Sequence, residues 1–535
     1  MPRKTKINSP LQIMFLGTGS DVGKSIIAGG FCRILSKLGY RVAPFKAQNM
    51  ALNSFVTMDG KEMGRAQVFQ AKAAGILPDS DMNPVLLKPS GNNSCQVIVQ
   101  GKVFGNTTST GYYRMKERIL PKVFESYERL KEKYNAIVLE GAGSTTEINL
   151  KENDFVNIRM AESVRAPVVI IADIDRGGVF AALVGTMKLL TNRERRLVAG
   201  FIINKFRGDR SLFTSGVRLI EKKTGRPVFG VLPYFSDIHL PEEDSVALQS
   251  GKKGSIKENE DVRIAVIHLP LISNYTDFDP LEMEKKVSLL YARHPEDLKG
   301  CSIIIIPGTK NTIEDLLWLK KNGFAEAIRK NLKDGSTLVG ICGGYQMLGT
   351  RIEDPYEIES SHNKVNGLGI LKIVTVLEKE KKLNRVSATN RIDALNDLNK
   401  GQIYVEGYEI HMGRTFPDST RPRQTGPGET RSSITRHKGW GPPLKPAFTV
   451  TQKNSVAILY DDGTVSGDGK IWGTYLHGIF ENDDFRKHFL AFHGWTGSNC
   501  RPYRSFLLDQ FDRLGSLIEE NVDVQRIINI AERFR

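Results

Sequence analysis

The sequence predicts an α/β protein with two doubly wound domains, each built on a mainly parallel sheet. The first observation is an apolar run at residues 11–16, which enters a glycine-rich loop and then an apolar stretch of helical length. The second is an apolar run that ends at Cys342, followed by two glycines and the start of a helix. In the part of the chain between these two runs, further apolar runs alternate with stretches of helical length. Such alternation builds parallel sheets covered by helices.

Length and composition set the broad class of the protein. A chain of 535 residues is too long for one core, so we expect two or three domains. Its 40% hydrophobic and 25% charged residues are typical of a globular protein. Five scattered cysteines without a C-x-x-C pair argue against a disulfide framework or structural zinc and favour a reducing cytoplasm. No signal-like or membrane-length apolar segment is present, so we expect a cytoplasmic protein without a membrane partner.

The chain carries a formal net charge of +15. Such a balance suits nucleic acid, an acidic surface or an anionic small substrate. No recognisable nucleic-acid module occurs, so the predicted partner is a polyanionic small molecule and not a nucleic acid. A solvated basic surface without a function is the alternative. The sequence sets no oligomeric state.

The glycine-rich loop after the first strand predicts a phosphate site. Backbone N–H groups of such a loop hold phosphates, Lys24 reaches their β and γ oxygens, and the Ser25 hydroxyl faces Mg²⁺. Five residues, not the usual four, separate Gly17 from Gly23. This spacing resembles dethiobiotin synthetase and its relatives, which phosphorylate a carboxylate. The predicted ATP-binding residues of the loop are Thr18, Gly19, Ser20, Asp21, Val22, Gly23, Lys24 and Ser25.

Polar side chains follow later strands of the first half. Glu140 ends the apolar run at residues 135–139 and is the predicted second Mg²⁺ ligand. A strand-end carboxylate that faces water is the alternative. Asn204 ends another strand, and its amide can read the adenine edge of ATP. Residues 51–70 are rich in polar side chains, which suits a substrate loop at the carboxyl edge of the sheet.

The second half contains a candidate nucleophile and a candidate base. Gly340 and Gly344 lie two residues either side of Cys342, which is the spacing of a nucleophile elbow. A buried structural cysteine is the alternative. His477 follows a short apolar strand and precedes Gly478. A Cys–His pair in this chain order predicts acyl transfer through a thioester.

These motifs carry a family resemblance. Residues 340–346 together with residues 475–478 resemble the class I glutamine amidotransferases, and residues 307–312 resemble their oxyanion loop. The resemblance implies a flavodoxin-like second domain, with Gly308 and Gly343 as oxyanion residues. Many relatives carry a glutamate two residues after the histidine. Ile479 stands there in this sequence, so the third member of the catalytic group is left open.

The resemblance narrows to one branch and covers nearly the whole chain. Residues 46–70, 82–89, 269–278 and 406–414 resemble the glutamine-hydrolysing cobyric acid synthases. That family implies ATP, Mg²⁺ and glutamine as nitrogen donor. Its reaction amidates the b, d, e and g carboxylates of adenosylcobyrinic a,c-diamide to give adenosylcobyric acid. The alternatives are the a,c-diamide synthase, a non-catalytic P-loop switch, and a cysteine peptidase of similar fold.

Composition also predicts the domain boundaries. We expect a P-loop ATP and corrinoid domain at residues 1–250 and a polar linker at 251–262. A class I glutamine amidotransferase domain at 263–500 and a helical tail at 501–535 follow. Residues 415–446 are rich in Arg, Pro, Gly, Ser and Thr, which predicts an exposed or poorly ordered insertion.

Overall fold

A computed structural model of the chain describes residues 10–89, 94–148, 151, 154–241, 248, 254–396, 401–418, 444–497 and 500–534. The chain divides into two compact units. The first comprises Met1–Thr57, Lys61–Glu243 and Arg504–Arg535, and the second comprises Met58–Gly60 and Asp244–Tyr503. The four segments expected from the sequence stay a prediction. Parts of the expected linker (251–253) and most of the expected insertion (419–443) lie outside the described residues.

The first unit alternates strands and helices from its start. Its strands are β1 (Leu11–Gly17), β2 (Val42–Phe45), β3 (Gln48–Met50), β4 (Ser54–Val56), β5 (Glu62–Gly64), β6 (Val85–Pro89), β7 (Ser94–Val99), β8 (Lys102–Thr108), β9 (Ala136–Glu140), β10 (Val168–Asp173), β11 (Val198–Phe206) and β12 (Val228–Pro233). Its first helices are α1 (Lys24–Lys37), α2 (Arg65–Ala74), α3 (Ser109–Lys133), α4 (Ile158–Val164), α5 (Val179–Leu189), α6 (Asn192–Leu197) and α7 (Thr214–Thr224).

Six strands of this unit form a fully parallel sheet in the order β12-β11-β10-β1-β9-β2. Strands β1, β9 and β10 lie in its middle and are almost wholly buried and apolar, as expected for strands covered on both faces. The carboxyl ends of these strands and of their neighbour β11 share one edge, which carries the phosphate loop, Glu140 and Asn204. In an open α/β sheet this edge is where ligands bind. Strands β3, β6, β7 and β8 form a separate small sheet, and β4 pairs with β5.

The second unit contains the remaining strands. They are β13 (Val262–Ile267), β14 (Val287–Ala292), β15 (Ile303–Ile306), β16 (Thr337–Ile341), β17 (Arg351–Glu353), β18 (Lys364–Asn366), β19 (Ile373–Asn390), β20 (Tyr404–Pro417), β21 (Phe448–Lys453), β22 (Val456–Asp462), β23 (Thr464–Val465), β24 (Ile471–Thr474) and β25 (Leu476–His477). Its helices are α8 (Asp279–Glu282), α9 (Thr312–Lys321), α10 (Phe324–Lys333), α11 (Gly343–Met347), α12 (Asp393–Asn396) and α13 (Asp483–Phe492).

The central sheet of the second unit runs β14-β13-β15-β16-β24, with all four pairings parallel and β23 antiparallel at the edge. Numbered within the unit, that order is 2-1-3-4-5, the flavodoxin-like arrangement. A second sheet of seven strands contains the long β19–β20 hairpin, and its strand β25 ends at His477. The predicted fold class, two doubly wound α/β domains, is confirmed.

The chain ends in two helices that belong to the first unit, α14 (Tyr503–Asn521) and α15 (Val524–Arg533). The Phe511 ring of α14 packs edge-on against Phe69 of α2, with 5.2 Å between centroids. Helix α15 buries Ile527 and Ile528 and contacts β1. No helix in the described parts of the chain is long and apolar enough to cross a membrane.

Candidate functional site

The turn between β16 and α11 holds Cys342 in a strained conformation, with φ 53° and ψ −110°. A Cβ atom on Gly340 would lie 2.7 Å from the Tyr345 Cα atom, and one on Gly344 would lie 1.9 Å from the Ile306 carbonyl oxygen. Both glycines are therefore required by close backbone approach. A positive φ at a non-glycine residue stores strain and is typical of a nucleophile elbow.

His477 ends β25 and lies near this turn. Its side chain is 1% exposed, and its Nδ1 atom is 2.6 Å from Oδ2 of Asp277. Its buried Nε2 atom has no hydrogen-bond partner among the described residues. Burial lowers the pKa of His477, but the charge and hydrogen bond of Asp277 and the neighbouring Cys342 raise that pKa overall, to about 9. The imidazole can therefore hold the proton of the Cys342 thiol and carry the positive charge beside the resulting thiolate.

Asp277 was not predicted from the sequence as a site residue. It lies in a 3-10 turn, Tyr275–Phe278, in the connection between β13 and β14. The Tyr408 hydroxyl donates to its other oxygen, Oδ1, over 3.3 Å. Asp277 lies 200 residues before His477, so the residues around His477 in the sequence do not indicate it. The sequence signal that could have indicated Asp277 is its position in the connection that follows β13. Connections after parallel strands meet at one sheet edge.

The two predicted oxyanion residues lie on loops that meet. Gly343 is the first residue of α11, so its N–H has no acceptor within the helix. A Cβ on Gly343 would lie 2.8 Å from the Thr309 Cγ2 atom, next in the chain to Gly308. A Cβ on Gly308 would lie 3.1 Å from the His477 Cε1 atom. The predicted oxyanion loop, residues 307–312, thus lies next to both the elbow and the histidine.

Further buried polar groups surround the elbow. Gln346 of α11 lies 3.1 Å from the Thr312 hydroxyl and donates to the Tyr475 hydroxyl over 3.2 Å. The His411 ring stacks on the Tyr475 ring with 3.8 Å between centroids. Burial lowers the pKa of His411 to about 3, and its Nδ1 lies 2.8 Å from the Gly413 carbonyl oxygen. His411 is therefore a neutral imidazole beside the cationic His477.

In the first unit, the phosphate loop connects β1 to α1. Lys24 donates to the carbonyl oxygens of Gly19 and Gly143 over 2.8 and 3.0 Å, so its ammonium lies over the loop. A Cβ on Gly17 would lie 2.7 Å from Val22 Cγ2. The loop tolerates no side chain at Gly17, and its five-residue spacing still forms a compact cradle. The segment between β1 and α1 also contains the predicted ATP-binding residues Thr18, Ser20, Asp21 and Gly23. Ser25 follows Lys24 in the first turn of α1.

Glu140 lies directly opposite Ser25. It is 1% exposed, and its Oε1 accepts from the Ser25 hydroxyl at 2.7 Å and from the Lys46 ammonium at 2.9 Å. Its Oε2 accepts from the Gln70 amide at 2.6 Å. A hydroxyl and a carboxylate fit Mg²⁺, which takes few protein ligands and completes its shell with water and phosphate. The described residues contain no group of three His, Cys, Asp or Glu side chains that could hold a metal ion.

Asn204 lies two residues before the end of β11 and against the phosphate loop. Its amide nitrogen donates to the Val22 carbonyl over 2.8 Å, and a Cβ on Gly23 would lie 2.2 Å from that nitrogen. Its Oδ1 atom is buried and has no partner within the described part of the chain. The side chain thus supports the loop with its nitrogen and leaves its oxygen available.

Comparison with known proteins gives the class first. Residues 13–247 match the model of the CobQ/CobB/MinD/ParA nucleotide binding domain, and residues 263–485 match that of the CobB/CobQ-like glutamine amidotransferase domain. A nucleotide-binding P-loop unit and a glutamine amidotransferase on one chain define a glutamine-dependent amide ligase that uses ATP.

Full-length relatives give the particular family. The cobyric acid synthase of Syntrophobacter fumaroxidans is 48% identical over 97% of this chain and 98% of its own. That of Moorella thermoacetica is 45% identical over 97% and 96%, and that of Klebsiella pneumoniae strain 342 is 44% identical over 98% and 98%. The chain belongs to the cobyric acid synthase family, whose amidation serves cobalamin biosynthesis.

Proposed function

We propose that this chain amidates the b, d, e and g carboxylates of adenosylcobyrinic a,c-diamide and so produces adenosylcobyric acid. The similarity to enzymes named cobyric acid synthase over 97% of the chain carries this proposal. The net charge of +15 suits a corrin acid with several carboxylates. The five free cysteines suit a cytoplasmic enzyme.

The first unit activates the carboxylate. Carboxylates are poor electrophiles, so the γ-phosphoryl group of ATP is transferred to one carboxylate oxygen, giving an acyl phosphate and ADP. Lys24 supplies positive charge to the phosphates, and Asn204 accepts from the adenine amine with its free Oδ1. Ser25 and Glu140 would hold Mg²⁺, which would supply positive charge to neutralise the phosphates when bound.

The second unit supplies ammonia from glutamine. The Cys342 thiolate attacks the carboxamide carbon, and the amide N–H groups of Gly308 and Gly343 stabilise the resulting oxyanion. His477 donates its Nε2 proton to the departing nitrogen, which leaves as ammonia when the C–N bond breaks. Water then hydrolyses the thioester to glutamate. Ammonia attacks the acyl phosphate, forming the amide and releasing phosphate.

Mass spectrometry of the products tests the substrate. With ATP, glutamine and the a,c-diamide, spectra over time are expected to show successive single amidations up to four. Cobyrinic acid without amides is the comparison substrate. Two additions to that precursor and none to the a,c-diamide would instead assign the chain to a,c-diamide synthesis. A rate of ATP hydrolysis that depends neither on glutamine nor on any corrin acid would favour the P-loop switch.

A further inference from the structure

We propose that Asp277 is the positioning residue of the glutaminase and replaces the glutamate that many relatives carry after the histidine. The proposal rests on the roles proposed above for Cys342 and His477. Ile479 occupies the family position of that glutamate. It is 1% exposed and has no polar atom to offer an imidazole. The carboxylate that contacts His477 comes instead from a loop 200 residues earlier.

The contact between Asp277 and His477 is short and dry. Oδ2 and Nδ1 are 2.6 Å apart, and the two side chains are 3% and 1% exposed. A carboxylate accepts a hydrogen bond, so Nδ1 carries a proton and Nε2 is the nitrogen that exchanges protons with the thiol. A charge-assisted bond shielded from water holds this orientation more firmly than a neutral bond does.

Asp277 is itself fixed from several directions. Tyr408 donates to its Oδ1, and the Tyr408 ring stacks on the His477 ring with 5.2 Å between centroids and 16° between planes. Asn274 donates to the Tyr408 hydroxyl over 3.3 Å. Phe278, the next residue along, packs on Phe480 at 6.3 Å between centroids. The loop and the β25 turn are thus held as one block around the imidazole.

This arrangement assigns each proton. His477 takes the thiol proton at Nε2 and later gives it to the departing amide nitrogen, which leaves as ammonia, while the Asp277 carboxylate contacts Nδ1 and keeps that proton in place. The titratable groups around the His477 ring are Asp277, Cys342, Tyr408 and His411. Asp277 and Cys342 raise the pKa of His477, whereas Asp277→Asn removes the larger of these two contributions.

The test compares Asp277→Asn with the wild-type chain. We expect the kcat of glutamine hydrolysis to fall by about 100-fold or more, with KM within about threefold. Ammonium-dependent amidation is expected to remain. Because the variant has a lower His477 pKa, the alkaline limb of its kcat profile moves to lower pH. Asp277→Glu, which keeps the charge, is expected to keep the limb near its wild-type position and recover part of kcat.

Asp297→Asn is the matched control. Like Asp277, Asp297 lies within a short 3-10 turn of the second unit, and its carboxylate accepts from the Arg293 and His294 amides. This variant is expected to behave as wild type. A folded Asp277→Asn protein with wild-type kcat, or with reduced kcat and an unmoved alkaline limb, overturns the proposal.

Two further measurements complete the design. If Asp277→Asn does not fold, NMR of ¹⁵N-labelled histidine in the wild-type chain decides, with His477→Ala identifying the signal. We expect the Nδ1 atom of His477 to carry a proton at every pH up to 10. A neutral His477 imidazole whose Nδ1 atom carries no proton would overturn the role of Asp277. The Cys342→Ser variant distinguishes a failure of the Asp277 proposal from a failure of the role proposed for Cys342. Glutamine hydrolysis that survives this change refutes the proposed role of Cys342, on which the role of Asp277 rests, whatever the Asp277 variants show.

Discussion

In the proposed mechanism Cys342 takes part only in glutamine breakdown, so we expect its loss to leave the synthetase reaction intact. Cys342→Ser is expected to lose glutamine-dependent amidation and keep amidation with high ammonium salt, since a serine hydroxyl is a far weaker nucleophile here. Lys24→Ala is expected to lose amidation with both nitrogen sources, because the acyl phosphate no longer forms. Amide formation followed by mass spectrometry measures both. A folded Cys342→Ser protein that ammonium does not rescue contradicts the assignment.

Because Glu140 contacts Ser25 at the predicted metal site, we expect the Glu140→Gln variant to change the Mg²⁺ dependence of amidation. Glu140→Gln preserves the shape of the side chain but removes its charge, so we expect the Mg²⁺ concentration for half-maximal amidation to rise about tenfold or more. A Mg²⁺ titration at saturating ATP and ammonium measures it. Asp175→Asn, at an exposed salt bridge with Arg207 in the same unit, is the control. An unchanged titration curve for Glu140→Gln would remove Glu140 from the metal site.

Single residues were predictable where a local pattern fixes them. The phosphate loop, Glu140 and Cys342 each lie in a strand–turn motif, so a few neighbouring residues suffice to identify the position. The contact between Asp277 and His477 joins two connections 200 residues apart, and only the strand order brings them together. Lys46 and Gln70, which hold Glu140, escaped prediction for the same reason.

At the scale of elements, the β16–α11 turn depends on the absence of side chains. A Cβ on Gly344 would lie 1.9 Å from the Ile306 carbonyl oxygen, a backbone atom of β15 that has little freedom to move. Gly344→Ala is expected to lower the free energy of unfolding by about 2 kcal/mol or more and to reduce glutamine hydrolysis. Gly467→Ala, where nothing lies within 4 Å, is the control. Denaturant unfolding measures both, and equal stability of the two variants would contradict the argument.

Strand β22 ends at a buried carboxyl, Asp462, that makes stability depend on pH. Burial and the charge of Glu409 raise the pKa of Asp462 from 3.8 to about 7. The folded chain thus holds a proton that the unfolded chain loses above about pH 4, so this group's contribution to stability declines as pH rises from about 4 to 7. The other titratable groups near it are Lys382, Tyr345, Tyr460 and Tyr475.

Asp462→Asn removes this ionisation. Relative to wild type, we expect the variant's unfolding free energy to increase between pH 5 and pH 8, because only the wild-type carboxyl resists the loss of its proton. Denaturant unfolding at several pH values measures the difference. A constant difference across that range would show that Asp462 ionises alike in the folded and unfolded chain.

Elements were predictable where hydrophobic runs are long. Apolar runs predicted central strands such as β1, β9 and β16, because strands covered on both faces need little else. The outer strands β12 and β14 were not predicted. The long β19–β20 hairpin and the small β3-β6-β7-β8 sheet were not predicted as sheets. Their strands mix buried and exposed residues, and their pairing is set by tertiary contacts that a single sequence does not display.

At the scale of the whole molecule, the first unit is discontinuous in sequence. Phe511 of α14 is 1% exposed against Phe69, so Phe511→Ala is expected to destabilise this unit by about 3–5 kcal/mol. Ammonium-dependent amidation should then be lost at a lower temperature, while glutamine hydrolysis keeps its wild-type heat resistance. Residual activities after heating measure both, with the exposed Glu519→Ala as control. Equal loss of the two activities would contradict separate stabilities of the units.

The placement of α14 and α15 has a consequence for synthesis of the chain. Protein synthesis runs from the N-terminus at roughly 5–20 residues per second, and domains generally fold as they emerge. The central strands of the first unit leave the ribosome early, yet α14, which packs on α2, and α15, which contacts β1, are translated after the second unit. The glutaminase strands emerge before the first unit can be completed. A message cut short after the second unit therefore yields a chain whose ATP-using part lacks two of its helices.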